Sequence, residues 1–184
     1  FYLARLDIRQ NSNFHQLALS QFLEAAGLDN AENKLANYEN RLSIINEELM
    51  SSRPFCNNPN LLGPEAKACL ELYKVLADEL ERDGAAGLGS IIVSMTRNFL
   101  DLLTVYLLAR ETGITYRSEE GLVCRLPVVP LFETVDDLKQ APKILDEFLS
   151  HPVTQRSLPN WQKSDKNDKP IFQVMIGYSD SNKD

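Results

Sequence analysis

Residues 125–138 read RLPVVPLFETVDDL, a nearly continuous apolar run that passes directly into an acidic stretch. An apolar run of this length is typical of a strand that is buried on both faces of a parallel sheet. Asp136 and Asp137 suit the positive end of a helix dipole, so a helix is predicted over 134–149. The stretch therefore predicts a buried strand followed at once by a helix.

The same alternation of strand and helix patterns continues along the rest of the chain. Further strands are predicted over FYLARLDI (1–8), GSIIVSM (89–95) and IFQVMIGY (171–178), and further helices over 11–28, 34–50, 64–82 and 98–112. Strands that alternate with helices imply parallel strands joined by right-handed crossovers. The predicted fold class is α/β and helix-rich, with about four parallel strands.

Four strand–helix units correspond to half of a closed eight-stranded barrel, so we predict a partial (β/α) TIM-type barrel; a small open sheet is the alternative. The whole of 1–184 is expected to be a single unit. Within it, 32–82 is predicted to be an extra helical insertion in one crossover. The polar, proline-containing segment 151–170 predicts a surface loop.

Composition narrows the class of protein. The chain has 184 residues, 43% of them hydrophobic, and a formal net charge of −7, which argues against nucleic acid as a partner. No uncharged run approaches the roughly 18 residues of a membrane span. Three unevenly spaced cysteines and two histidines favour reduced thiols in the cytoplasm over a disulfide framework or a His/Cys metal site.

The chain starts inside an apolar run without Met, so we expect it to be part of a longer protein.

Polar side chains follow each predicted strand, and the carboxyl ends of parallel strands meet at one edge of a sheet. Arg9 follows the first strand, Glu133 the third, and Asp180 and Lys183 the fourth. Two carboxylates without His or Cys favour a hard cation, Mg²⁺ or Mn²⁺, and the planar fork of Arg9 matches a phosphate or carboxylate. Many unrelated strands also end on polar residues, so this pattern leaves a purely structural interpretation open.

Four blocks of sequence then indicate a particular protein family. LDIRQ (6–10), IIVSM (91–95) with DLL (101–103), PVVPLFETVDDL (127–138) and VMIGYSDSNKD (174–184) occur in an order that closely resembles phosphoenolpyruvate carboxylase. The resemblance covers the whole chain, most weakly over 28–88 and 151–170, and corresponds to a central slice of a much longer family chain. It implies a largely helical protein around an eight-stranded barrel that makes oxaloacetate and phosphate from phosphoenolpyruvate and bicarbonate with Mg²⁺ or Mn²⁺.

The resemblance also implies roles for individual residues. Glu133 and Asp180 would be the metal ligands, and Arg9 and Lys183 catalytic residues that hold anionic substrate. Leu131 and Met175 would form an apolar wall around the substrate's methylene carbon. His15 matches a family histidine without an assigned role, whereas Asn11 stands where the family usually has Glu.

The remaining expectations concern localisation, assembly and activity. The resemblance implies a cytoplasmic parent that forms a homo-oligomer. The family's catalytic histidine segment and its glycine- and arginine-rich mobile loop are not in these 184 residues, so the chain alone is expected to be inactive in an oxaloacetate assay. The alternative function is a non-catalytic scaffold whose open half-barrel edges pair with a second copy. Another Mg²⁺-dependent barrel enzyme acting on enolates is a more remote possibility.

Overall fold

The computed structural model describes residues 4–55, 58–161 and 169–177. Three short 3₁₀ turns, Pro59–Leu61, Gly84–Gly87 and Leu158–Asn160, accompany the main elements. In chain order these are β1 (Leu6–Asn11), α1 (Ser12–Ala25), α2 (Ala31–Ala36), α3 (Tyr38–Leu49), α4 (Pro64–Asp83), β2 (Leu88–Ser94), α5 (Phe99–Arg110), β3 (Thr115–Ser118), β4 (Gly121–Cys124), β5 (Val128–Phe132), α6 (Val135–Ser150), α7 (Pro152–Ser157) and β6 (Met175–Ile176).

Four of the strands form one parallel sheet with the order β1-β2-β5-β6. The prediction of an α/β fold with about four parallel strands is therefore confirmed, and the partial barrel stays a prediction. The first strand begins later than predicted, at Leu6, and the last is much shorter, Met175–Ile176. Residues 1–3 of the predicted first strand and residue 178 of the predicted last strand lie outside the described residues.

Helix α5 forms the centre of the core. All of its residues are buried, in keeping with the apolar pattern of its sequence, FLDLLTVYLLAR. It packs against β5 and against α1, α3 and α6. Because α5 is covered on every side, its two charged side chains, Asp101 and Arg110, must find partners inside the protein.

Side-chain caps define where the helices next to the strands begin. The Asn11 side chain accepts a hydrogen bond from the backbone N–H of Asn13 at 2.7 Å and so starts α1 directly after β1. Thr134 and Asp137 form a reciprocal capping box at the start of α6, the helix predicted from its acidic first turn. These caps fix the chain direction at the carboxyl ends of β1 and β5.

The described part of the predicted insertion, 32–55 and 58–82, contains three α-helices rather than two. The pattern assigned to 34–50 is divided, because the Asn37 side chain accepts from the backbone N–H of Asn40 at 3.0 Å and starts α3 anew. Helix α4 packs on α1, and α3 packs on α5. The insertion is thus part of the main core.

The predicted surface loop over 151–170 is wrong in its first half. Pro152 occupies the first turn of α7, and Val153, Ser157 and Trp161 are buried. Trp161 belongs to the main core, and its Nε1 donates to the Cys124 carbonyl oxygen at 3.0 Å. Residues 162–168 lie outside the described residues.

The antiparallel hairpin of β3 and β4 was not predicted. It lies between α5 and β5, in a segment for which neither a helix nor a strand was predicted. Along residues 4–55, 58–161 and 169–177, none of the helices is both long enough and apolar enough to cross a membrane.

Candidate active site

The two faces of the parallel sheet have different surroundings. Ile91, Val93, Val128 and Phe132 belong to the large core beneath the helices, whereas Ile92, Val129 and Leu131 form a separate small cluster. Since side chains alternate along a strand, the small cluster lies on the opposite face of the sheet. We call this the inner face, because it would line the interior of a barrel.

Side chains on the inner face are arranged in levels, each formed by register partners on neighbouring strands. Arg9 lies opposite Ile92, which in turn lies opposite Val129, so Arg9 shares its level with two apolar residues. Nearer the carboxyl ends of the strands, Asn11 lies opposite Ser94. At the β5–β6 pair, Leu131 lies opposite Met175. The strand ends therefore combine polar groups at β1 and β2 with apolar groups at β5 and β6.

Arg9 and Glu133 meet across β2 even though they are far apart in sequence. Arg9 Nη2 donates to Glu133 Oε1 at 2.7 Å, with the two side chains 52% and 20% exposed. Glu133 directly follows β5 and precedes the Thr134 cap of α6, and its backbone N–H donates to Asp137 at 3.2 Å. The structure thus brings the predicted phosphate-binding arginine to one of the predicted metal ligands.

Gly177 allows the chain after β6 to pass close to Glu133. Its backbone N–H donates to the Phe132 carbonyl oxygen at 2.8 Å. A Cβ atom at Gly177 would come within 2.9 Å of Glu133 Cγ and 3.2 Å of Glu133 Cα, so any larger residue would displace Glu133. The segment that leads to Asp180 and Lys183 starts beside Glu133; both residues lie outside the described residues.

The two residues of the predicted apolar wall are register partners on β5 and β6. Leu131 is buried, and Met175 remains 40% exposed. They lie at the same level of the inner face, on the side of the sheet to which Glu133 belongs. Their contact with a substrate stays a prediction.

No sequence pattern predicts the conformation of Met95, which follows β2 at the same sheet edge. Met95 has a φ of +54°, in the left-handed region that side-chain-bearing residues rarely adopt, and is half exposed. Ser12 Oγ donates to the Met95 carbonyl oxygen at 2.7 Å, and Asn11 Nδ2 contacts Met95 Sδ at 2.9 Å. Asn11, the departure from the family's usual glutamate, therefore caps α1 and supports Met95.

His15 is buried on α1 rather than exposed at the strand ends. Burial lowers the pKa of His15 to about 4, although the negative charge of Asp101 acts in the opposite direction. Among the described residues, its Nδ1 has no hydrogen-bond partner. These observations favour a neutral histidine within the core.

We expect His15 to make the protein less stable in mild acid. The folded pKa of about 4 lies below the ordinary value of 6.5, so the unfolded chain binds the additional proton. The contribution of His15 to the free energy of unfolding is fully present above pH 6.5. It is lost as the pH falls towards 4, and the loss amounts to up to about 3 kcal/mol. Urea unfolding between these pH values should show a smaller loss in His15→Gln than in the wild type; equal losses would contradict this account.

The donor chemistry of the strand ends fits a hard cation. In the parts of the chain that the structure describes, no group of three or more His, Cys, Asp or Glu side chains could hold a metal ion. Glu133 nevertheless offers partly exposed carboxylate oxygens, the donor type that Mg²⁺ and Mn²⁺ prefer. Burial raises the pKa of Cys69 to about 12 and that of Cys124 to about 11, which makes both poor thiolate ligands.

These features describe an α/β protein with a polar site at the carboxyl ends of its parallel strands, the usual place for ligands in such sheets. Comparison with protein families finds a match to phosphoenolpyruvate carboxylase over residues 1–184. The chain therefore belongs to the phosphoenolpyruvate carboxylase family.

Individual relatives agree with this assignment. The chain is 35% identical over 187 residues to a phosphoenolpyruvate carboxylase of Methylorubrum extorquens, covering 100% of this chain and 20% of the relative. It is 34% identical over 192 residues to the enzyme so named in Rhodothermus marinus, covering 100% of this chain and 19% of that protein. A phosphoenolpyruvate carboxylase of a Synechococcus species is 34% identical over 184 residues, 100% of this chain and 18% of the relative. The chain thus spans about a fifth of the length of these relatives.

Proposed function

We propose that this chain provides the metal- and phosphate-binding part of an enzyme that forms oxaloacetate and phosphate from phosphoenolpyruvate and bicarbonate. The observation that carries the proposal is the 2.7 Å contact between Arg9 and Glu133 at the carboxyl ends of the strands. In a chain of this family, the contact joins a group suited to phosphate with a group suited to a divalent cation. Turnover is proposed for the whole protein, of which these residues form one section.

Glu133 and Asp180 would hold the Mg²⁺ or Mn²⁺ ion. Support comes from Gly177, three positions before Asp180, whose backbone lies so close to Glu133 that it leaves no room for a side chain there. When bound, the cation would supply positive charge that stabilises negative charge developing on a substrate oxygen.

Arg9 would orient the phosphate group of the substrate. Its guanidinium has five N–H donors in a planar fork, and the hydrogen bond to Glu133 fixes the fork at the strand ends. About half of the side chain is exposed, so an anion can approach it. Lys183 would add a second positive charge at the same site.

Leu131 and Met175 would exclude water from the carbon end of the substrate. They lie side by side next to the buried pair of Ile92 and Val129. An apolar surface at this position protects a reactive carbon from protonation by solvent, which is the main side reaction of an enolate.

A second candidate function is association with another copy. It is favoured by apolar side chains on the two edge strands, since Leu6 on β1 and Ile176 on β6 are both largely exposed. Edge strands with exposed apolar residues tend to pair with further strands.

Arg9→Gln should weaken binding of phosphoenolpyruvate, measured by titration calorimetry in the presence of Mn²⁺, by about tenfold or more, because a charge-assisted hydrogen bond is lost. Arg117→Gln provides a matched control, since Arg117 is an exposed arginine on the separate β3–β4 sheet. Wild-type affinity in Arg9→Gln, or absence of binding in the wild type, would contradict the proposal. Light scattering on the same samples tests the second candidate, which requires a dimer or larger species.

A further inference from the structure

A buried carboxylate holds the loop between β2 and α5. Asp101, in the first turn of α5, has no exposed side-chain surface. It accepts hydrogen bonds from the backbone N–H of Arg97 at 2.8 Å and from Arg97 Nη2 at 3.0 Å. Arg41 Nη1, which comes from α3 in the helical insertion, forms an ion pair with the same carboxylate at 2.9 Å. One side chain thus connects the insertion to the end of β2.

The opposite side of this loop is attached to α1. Arg97 Nη2 also donates to Gln16 Oε1 at 3.1 Å, and Ser12 Oγ donates to the carbonyl oxygen of Met95. Thr96 Oγ1 donates back to the Val93 carbonyl oxygen at 2.8 Å. With hydrogen bonds from both helices and from the strand, the loop is held firmly enough to keep Met95 in its left-handed conformation.

This loop is close to the candidate site because of the position of β2 in the sheet. β2 lies between β1, which carries Arg9, and β5, which ends just before Glu133. The loop therefore lies between the two strand ends whose side chains form the candidate site. A shift of the loop would move the end of β2 and, through the hydrogen bond from Ser12 to the Met95 carbonyl oxygen, the start of α1 directly after β1.

We propose that Asp101 is a positioning residue for the candidate site: through Arg97 and the Met95 loop it sets the placement of Arg9 relative to Glu133. Arg41 connects the helical insertion to the same carboxylate, so the insertion also contributes to the placement of Arg9. The consequence for ligand binding rests on the proposed function, but the geometric claim does not.

A second ion pair also joins α3 to α5, at a distance from the β2–α5 loop. Arg110, at the other end of α5, bonds to Glu48 Oε2 at 3.2 Å and to the Glu48 carbonyl oxygen at 2.6 Å. This pair joins the same two helices without touching the strand ends. Glu48→Gln is therefore a matched control for Asp101→Asn.

The experiment uses the 184-residue chain with ¹⁵N-labelled backbone and ¹³C-methyl methionine. In Asp101→Asn, we expect the Met95 methyl resonance and the amide resonances of Arg9 and Glu133 to shift, while the methyl resonance of the exposed Met50 stays in place. Glu48→Gln should leave the first three unchanged. In Mn²⁺ and phosphoenolpyruvate titrations, Asp101→Asn should bind about 3- to 10-fold more weakly than the wild type.

Arg97→Gln provides a second test in case Asp101→Asn does not fold, because it removes the guanidinium bonds and leaves Asp101 paired with Arg41. It should produce the same shifts with smaller size. Unchanged Arg9 and Glu133 resonances in the folded variants would overturn the proposal, as would equal shifts in Glu48→Gln. If the wild type binds neither Mn²⁺ nor phosphoenolpyruvate, the proposed function fails, while the resonances still decide the positioning role.

Discussion

Replacing Arg110 by methionine is expected to lower the free energy of unfolding by about 3–5 kcal/mol, the usual cost of breaking a buried ion pair. The Arg110 side chain is almost completely buried. It donates to the carbonyl oxygens of Glu48 and Ser51 at 2.6 and 2.8 Å, and its guanidinium carbon lies 4.4 Å from the centre of the Phe55 ring. Methionine fills much of the volume but leaves both carbonyl oxygens without this donor.

Urea unfolding of Arg110→Met measures this effect, and Arg125→Met is the matched control. Arg125 pairs with Glu81 at the surface, where an ion pair contributes only about 0–1 kcal/mol. The two variants should therefore differ by several kilocalories per mole. Similar losses in both would show that the buried pair does not hold the insertion to the core.

The outcome bears on the nature of the helical insertion. Residues 32–82 were predicted as an addition to one crossover, yet α3 contributes an ion-pair partner to each of the two charged residues of α5, the buried Arg41 and the half-buried Glu48. Arg41 and Asp101 are 60 positions apart, and no periodic pattern relates them. Their pairing arises because a fully buried helix leaves each internal charge only one solution, a partner of opposite sign.

The elements that were predicted correctly are those for which several sequence features indicate the same secondary structure. The strand Val128–Phe132 and helix Val135–Ser150 combine an apolar run, a cap and acidic residues in the first turn. Residues 171–178 showed only the apolar run, and of the described residues 171–177 two form a strand at the sheet edge, where a single neighbour is available. Helix α7 was missed because its Pro, Ser and Gln residues are typical of loops, while tertiary contacts bury Val153 and Thr154 within it.

The candidate site, like the fold, could be predicted only in part. Parallel topology alone implies that Arg9 and Glu133 approach one another at the strand ends. The left-handed Met95 and the contacts of Asp101 depend on side chains from three helices, so they could not be derived from spacing.

Glu133→Gln is expected to reduce Mn²⁺ affinity at least about 100-fold, since even loss of an outer-shell partner commonly costs about 10- to 100-fold. The amide keeps the size of the side chain and one oxygen acceptor, but it removes the negative charge that a divalent cation requires. Asp180→Asn should have a comparable effect if Asp180 supplies the second ligand. Glu120→Gln, at an exposed position in the β3–β4 turn, should bind Mn²⁺ as the wild type does.

Titration of the chain with Mn²⁺, followed by the electron paramagnetic resonance signal of the free ion, tests the central claim most directly. We predict one bound Mn²⁺ per chain in the wild type and in Glu120→Gln, and loss of that binding in both Glu133→Gln and Asp180→Asn. Mn²⁺ binding that neither of the last two substitutions changes would contradict the assignment of the metal site to these carboxylates.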